Sequence, residues 1–387
     1  MLPDWSRPLT LTSPPVAGRR SFLRALGLLP AAAAGVLWRI ERSEPLWLRP
    51  TLWSVTRPAP RRASDLGRRV LAFHYPWYGT PSGPSGRWRH WRHPRLAGPA
   101  ARVLGFRDPR RTAGPDRLDL AATHYPLDGP YDSRDPTVAG RQLALARAAG
   151  LDGFVVSWWG RESEEAQAFG LLLPLAQQAG LALAPYYEAA ELSSRGASGV
   201  AADFEALLGR HGGSPAWLRV GGVPVVFVYG AQRLRPGGWE YVRRRLEAGG
   251  YPVYLAGDSH RRPWVSYFDA LHVYSPTRFL ARGDDLGATY EEWARAARDA
   301  GIPFLPAVTP GFDDRTIRGA GRVVDRRGGE TYDATWRAAL AVDPPWVLVA
   351  SWNEWHEGSE IEPSREHGTR YLEATRRWAD RFRAARS

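Results

Sequence analysis

Gly150-Leu151-Asp152-Gly153-Phe154-Val155-Val156-Ser157-Trp158, the helix-like stretch 163–179 after it, and then Gly180-Leu181-Ala182-Leu183-Ala184-Pro185-Tyr186 decide the fold. Each opening glycine follows a helical pattern and stops it, because glycine takes the left-handed backbone that ends helices. Each apolar run after it is nearly continuous rather than alternating. That is the pattern of a parallel strand buried on both faces. Two such strands joined by a helix form one crossover unit of a parallel sheet.

The same unit recurs outward in both directions. Strands are expected at 70–74, 153–158, 181–186, 223–229, 253–256, 270–274, 302–308 and 346–351. Helices are expected at 136–149, 163–179, 201–210, 239–248, 290–300, 332–341 and 368–386, with a poorly defined stretch after His260. Asp135 reads as an N-cap with Pro136 at the first helical position. Eight strand–helix units in about 320 residues predict an α/β fold, a (β/α)8 barrel forming a single catalytic domain over 67–387. A doubly wound open sheet is disfavoured, because no glycine-rich phosphate loop follows the first strand. That turn reads His74-Tyr75-Pro76-Trp77-Tyr78-Gly79.

Composition agrees. The 387 residues allow two or three domains or one large barrel. At 44% hydrophobic and 24% charged the chain is not disordered as a whole. No apolar run reaches the roughly 18 residues of a membrane span, so none is expected in the mature protein. With 0 Cys, disulfides, thiolate metal sites and cysteine nucleophiles are excluded. Lys+Arg 52 against Asp+Glu 40 gives +12, yet every one of these cations is Arg and they are spread along the chain. That reads as genome bias, and no nucleic-acid partner is expected. The 18 Trp, 15 Tyr and 12 Phe suggest surfaces that stack on flat apolar faces.

The first 38 residues read as an address. Gly18-Arg19-Arg20-Ser21-Phe22-Leu23-Arg24 precedes an apolar stretch over 25–38 and resembles a twin-arginine export signal. Residues 39–66, rich in Pro and Arg, read as a linker. The expected location is outside the cytoplasm.

Chemistry in such a barrel sits at the C-terminal ends of the strands. Those ends carry His74, Tyr75, Trp77, Trp158, Tyr186, Glu188, Tyr229 and Tyr274, and the last strand runs into Trp352-Asn353-Glu354-Trp355-His356-Glu357-Gly358. Aromatic rings pack on the C–H faces of sugars, and Tyr and Trp add a polar handle for hydroxyls. Glu354 and Glu357 stand at spacing i, i+3, which one helical turn places on a common face. Close carboxylates hold different protonation states, as glycosidic cleavage requires. Asn353, Trp355 and His356 are read as their substrate-binding companions, with His356 orienting one carboxylate. Glu360 and Glu362 read as loop or supporting residues, and Tyr131 and Asp132 as facing the cleft from the loop before the first helix. No His-Glu-x-x-His spacing is present, so no metal or other cofactor is expected. No Gly-x-Ser-x-Gly elbow is present either.

These stretches together resemble glycoside hydrolase family 99, the endo-α-1,2-mannosidases and endo-α-1,2-mannanases. The resemblance is carried by His74-Tyr75-Pro76-Trp77-Tyr78-Gly79, Trp88-Arg89-His90-Trp91-Arg92-His93-Pro94, Tyr131-Asp132-Ser133-Arg134-Asp135-Pro136 and the 352–362 stretch, over about residues 69–386. It implies a metal-independent, retaining, endo-acting glycosidase. It assigns Glu354 as base on the sugar 2-hydroxyl, whose oxygen attacks C1 to give a 1,2-anhydro sugar, and Glu357 as acid and then base. It matches Tyr274 to a family active-site tyrosine. A carboxylate nucleophile is the other mechanism. The sequence departs from the family at Tyr186-Tyr187-Glu188-Ala189-Ala190, where the family has His-Ile-Glu-Pro-Tyr, and at His74-Tyr75, where it has paired Tyr. The expected activity is cleavage of α-mannosidic linkages in a glycan by a monomer. The alternatives are a related barrel glycosidase acting on another α-glycan or bacterial surface polysaccharide, and a non-catalytic carbohydrate-binding barrel.

Overall fold

The computed structural model describes residues 66–97, 102–261 and 264–385. The export-signal and linker readings, up to residue 65, lie outside the described residues.

Eight parallel positions build the barrel. They are β1 (Arg69–His74), β2 (Gly153–Trp158), β3 (Ala182–Tyr187), β4 (Val223–Val228), β5 (Tyr254–Gly257), β6 (Ala270–His272), β7 in two pieces (Phe304–Leu305 and Ala307–Val308) and β8 (Trp346–Val349). Neighbours pair in chain order, and β1 closes on β8 with Leu71 opposite Leu348. The break in β7 falls at Pro306, which has no N–H to give to a ladder. Phe304–Leu305 pairs with β6 and Ala307–Val308 with β8, so the interrupted strand joins the two ends of the sheet. The fold is the expected (β/α)8 barrel.

The helices are α1 (Pro136–Ala148), α2 (Glu164–Ala179), α3 (Ala189–His211), α4 (Pro236–Ala248), α5 (Thr277–Arg282), α6 (Leu286–Asp299), α7 (Glu330–Ala341) and α8 (Arg370–Ala384). Asp135 caps α1 by accepting from the Thr137 N–H at 2.8 Å. Ser163 caps α2, and Gly180 ends it in the left-handed conformation at φ 68°. Helix α3 starts twelve residues before its expected start at 201 and kinks at Gly196, where φ is 59°. The stretch after His260 resolves into a 3-10 turn, Trp264–Tyr267, and the short α5. No helix among the described residues is long and apolar enough to cross a membrane.

At the N-terminal rim, Asp152 accepts from the Val70 N–H at 2.7 Å and from Arg383 of α8 at 2.8 Å, tying β1 to the last helix. The opposite rim carries elements that were not expected. The long β1–α1 connection forms two hairpins, His93–Ala97 with Arg102–Arg107 and Thr112–Gly114 with Arg117–Leu118. The loop after β7 forms a third, Phe312–Asp313 with Val323–Val324.

Candidate active site

The chain leaves β8 in a tight turn. The Glu354 N–H donates to Ser351 Oγ at 2.7 Å, and the Glu357 N–H donates to the Glu354 carbonyl at 3.2 Å. This hydrogen-bonded turn, rather than a helix, carries both carboxylates, near enough that the charge of Glu357 acts on Glu354.

Glu354 is buried. Its Oε1 accepts from the His356 N–H at 3.2 Å and lies 3.5 Å from His356 Nδ1. His356 Nε2 sits 2.8 Å from the carbonyl oxygen of His90. A carbonyl only accepts, so Nε2 carries the proton and Nδ1 turns a lone pair to Glu354. Burial holds the His356 pKa down to about 3, which keeps the ring neutral. His90 takes a left-handed backbone, φ 56°, and its ring stacks on Trp77 at 4.7 Å. Burial first, and the charge of Glu357 second, push the Glu354 pKa well above the carboxylate range.

Glu357 has a different neighbour. Its Oε1 accepts from Nη1 and Nη2 of Arg318, both at 3.3 Å. Arg318 stands on the loop after β7 and also pairs with Asp314. Burial raises the Glu357 pKa and the Arg318 guanidinium opposes the rise. Of the two carboxylates, Glu357 is the one in direct contact with that cation.

A buried chain of hydrogen bonds holds this turn. Asn353 accepts from the Tyr75 N–H at 2.7 Å and donates to the Tyr75 carbonyl at 3.0 Å, fixing the turn to the end of β1. Asn353 Nδ2 and Trp355 Nε1 both donate to the Tyr131 hydroxyl, at 3.1 and 3.0 Å. Tyr131 donates to Glu362 at 2.7 Å, Gln142 of α1 donates to Glu362 at 2.8 Å, and Gln142 Oε1 meets His74 Nε2 at 3.1 Å. Arg326 and His124 bind Glu360, each at 2.7 Å.

Of the expected sugar contacts, several converge beside the carboxylates. The Tyr75 hydroxyl donates to that of Tyr274 at 2.5 Å across the mouth. Trp77 packs tilted against Tyr75 at 4.5 Å, and Tyr229 lies 5.5 Å from Tyr274. Glu188 accepts from Ser157 Oγ at 2.7 Å, and burial pushes its pKa up to about 8. Others are placed differently. His74 stacks on Phe154 at 4.8 Å and bonds to α1, so its ring is in the barrel wall. Trp158 is buried against Tyr187, and the half-buried Trp159 turns towards Trp77 instead. Tyr186 packs inside the barrel on Phe73 at 4.8 Å beneath this layer. Asn353, Trp355 and His356 are buried and hold the turn. Tyr131 and Asp132 are also buried and brace loops rather than face the cleft. Asp132 accepts from the Ser85 N–H at 2.7 Å. Arg318, His90 and Gln142 were not singled out beforehand. His90 lies inside a quoted stretch; the others had no sequence signal.

A cavity of about 570 Å³ opens at Glu357, with Tyr229, Tyr274, Asp258 and Arg318 in its walls. Among the described residues no cluster of three or more His, Asp or Glu side chains is arranged to hold a metal ion.

Comparison with known proteins agrees with this geometry. The profile of Glycosyl hydrolase family 99 matches residues 65–384. The chain is 28% identical over 371 residues to Glycoprotein endo-alpha-1,2-mannosidase of Mus musculus, covering 84% of this chain and 78% of that one. It is 27% identical over 365 residues to a Glycoprotein endo-alpha-1,2-mannosidase-like protein of the same species, covering 84% and 79%. The solved structure of the GH99 endo-alpha-mannosidase from Bacteroides thetaiotaomicron superposes with a TM-score of 0.71 at 26% identity, covering 82% of this chain and 98% of that one. The chain belongs to glycosyl hydrolase family 99 and is a glycoside hydrolase.

Proposed function

We propose that this family 99 enzyme is an exported, monomeric, retaining endo-α-mannosidase working through a 1,2-anhydro sugar. The carrying observation is the pair Glu354 and Glu357 on one turn, in unlike surroundings. The names of its relatives support the mannosidic linkage, and the Arg19-Arg20 segment supports export.

In the proposed cycle, ionised Glu354 takes the proton of the sugar 2-hydroxyl. O2 attacks C1, and the glycosidic oxygen leaves with a proton from Glu357. Water then opens the anhydro ring at C1, giving its proton to Glu357, while Glu354 returns its proton to O2. Two inversions give net retention. Burial raises both carboxyls, so the free pair favours holding a proton, and substrate must place that proton on Glu357. A 2-hydroxyl hydrogen-bonded to Glu354 does so by favouring the ionised form.

The resting proton also suits the reverse assignment, and leaving-group chemistry separates the two. Fluoride leaves without help from an acid. Glu357→Gln should therefore lose about a thousandfold on α-mannan but retain most release from an α-1,3-mannosyl-mannosyl fluoride. Glu354→Gln should lose both. The opposite pattern reverses the roles, and full activity of either variant ends the proposal.

A further inference from the structure

The cavity beside Glu357 is lined by five arginines, Arg233, Arg261, Arg278, Arg318 and Arg322, against three carboxylates, Asp258, Asp314 and Glu357. Arg318 is committed to Asp314 and Glu357. The other four are exposed, and among the described residues none of them is in an ion pair with a carboxylate. Other rim arginines are neutralised, Arg89 by Glu164 and Glu165 and Arg326 by Glu360. Arg278 and Arg322 instead lie over the rings of Phe279 and Phe312, at 5.1 and 5.7 Å, with their forks free for a ligand. The four come from separate connections, those after β4, β5 and β7 and helix α5 after β6, yet they meet at one cavity. Burial pushes the Asp258 pKa up to about 7, which weakens the opposing charge there.

A neutral mannan has no use for such a wall. Arg278 acts on Asp258 and Arg322 on Glu357 only through space, so the repulsion among the four guanidiniums is relieved in part and an anion would relieve it further; their forks match carboxylate and phosphate oxygens two at a time. We propose that the natural substrate is an anionic glycan, bearing carboxylate or phosphate groups on sugars that lie in the cavity beside Glu357. The proposal rests on the endo-glycosidase reading and names the substrate class for it.

The test measures KM with the full chain on three probes: neutral α-mannan, the same mannan oxidised at C6 to mannuronate, and a phosphomannan. Ionic strength runs from about 0.01 M, where charges act over about 30 Å, to about 1 M, where they act over about 3 Å. KM for at least one charged polymer should lie about tenfold below that for the neutral one at low salt, and the gap should close at high salt. Which polymer shows the gap separates carboxylate from phosphate. Arg278→Gln/Arg322→Gln should erase it. Arg295→Gln/Arg337→Gln, with the same loss of charge on the exposed faces of α6 and α7, should preserve it. Equal KM values on all polymers, or a preference that survives the first double variant, overturns the proposal. If no polymer is cleaved, the glycosidase reading has failed, and tryptophan-fluorescence titration with the three polymers decides this one alone. Equal binding of all three overturns it.

Discussion

Arg318 sets the difference between the two carboxylates, so its removal is the sharpest single-residue test of the pair. Its guanidinium contacts Glu357 directly and favours its ionised form, whereas it reaches Glu354 only through space, and the ring beside Glu354 is the neutral His356. Arg318→Gln makes the first ionisation of the pair harder. The acidic limb of the kcat/KM profile should move to higher pH by about one unit or more, since a neighbouring cation typically lowers a carboxyl pKa by one to three. An unmoved limb would remove Arg318 from the account. This residue was not legible in the sequence. Where all 52 cations are Arg, one more Arg says nothing, and only the loop after β7 brings it to Glu357. Glu354 and Glu357 were legible, because spacing within one turn needs no knowledge of the fold.

Among the elements, the turn after β8 is held by α1 and the loop before it through the Tyr131 hydroxyl. That oxygen accepts from Asn353 and Trp355 and donates to Glu362. Tyr131→Phe leaves three buried polar groups short of a partner, so unfolding free energy should fall by at least about 2 kcal/mol, with kcat falling as well. Denaturation in urea and turnover on mannan measure the two. A variant of unchanged stability and rate would mean that water replaces the hydroxyl at no cost. The barrel strands were legible because continuous apolar runs between glycines admit few other structures. Which side chains point inward was not. In a strand buried on both faces, His74 and Phe73 look alike in pattern, yet one meets α1 and the other the barrel interior. The hairpins of the β1–α1 connection were missed for the opposite reason. Arg102–Arg107 is exposed along its whole length, so no burial pattern marks it.

At the scale of the whole molecule, the buried ionisable groups set a pH dependence of stability. Burial raises Glu188 to about 8 and Asp258 and Glu362 to about 7. The folded protein binds more protons than the unfolded chain from the ordinary carboxyl range up to those values. Stability from these groups is therefore fully present at low pH and is lost as pH rises through 7 to 8. The buried histidines act the other way until about one unit above their unfolded value of 6.5, with His74 lowered to about 4 and His272 to about 3. Above about pH 7.5 the unfolded histidines are neutral as well and the carboxyls prevail, so stability should fall by roughly 0.5–1 kcal/mol between pH 7.5 and 8.5. Urea midpoints across that range measure it, and a flat or rising midpoint would contradict the burial of these groups. The claim that joins barrel, carboxylate turn and cavity is retaining, endo-acting cleavage of an α-mannosidic chain. Its most direct test is proton NMR of the full-length enzyme with yeast α-mannan, followed from the first minutes. The account predicts that an oligosaccharide with an α-configured reducing end appears first and mutarotates later. A β-configured first product, or free mannose without oligosaccharide, would contradict it.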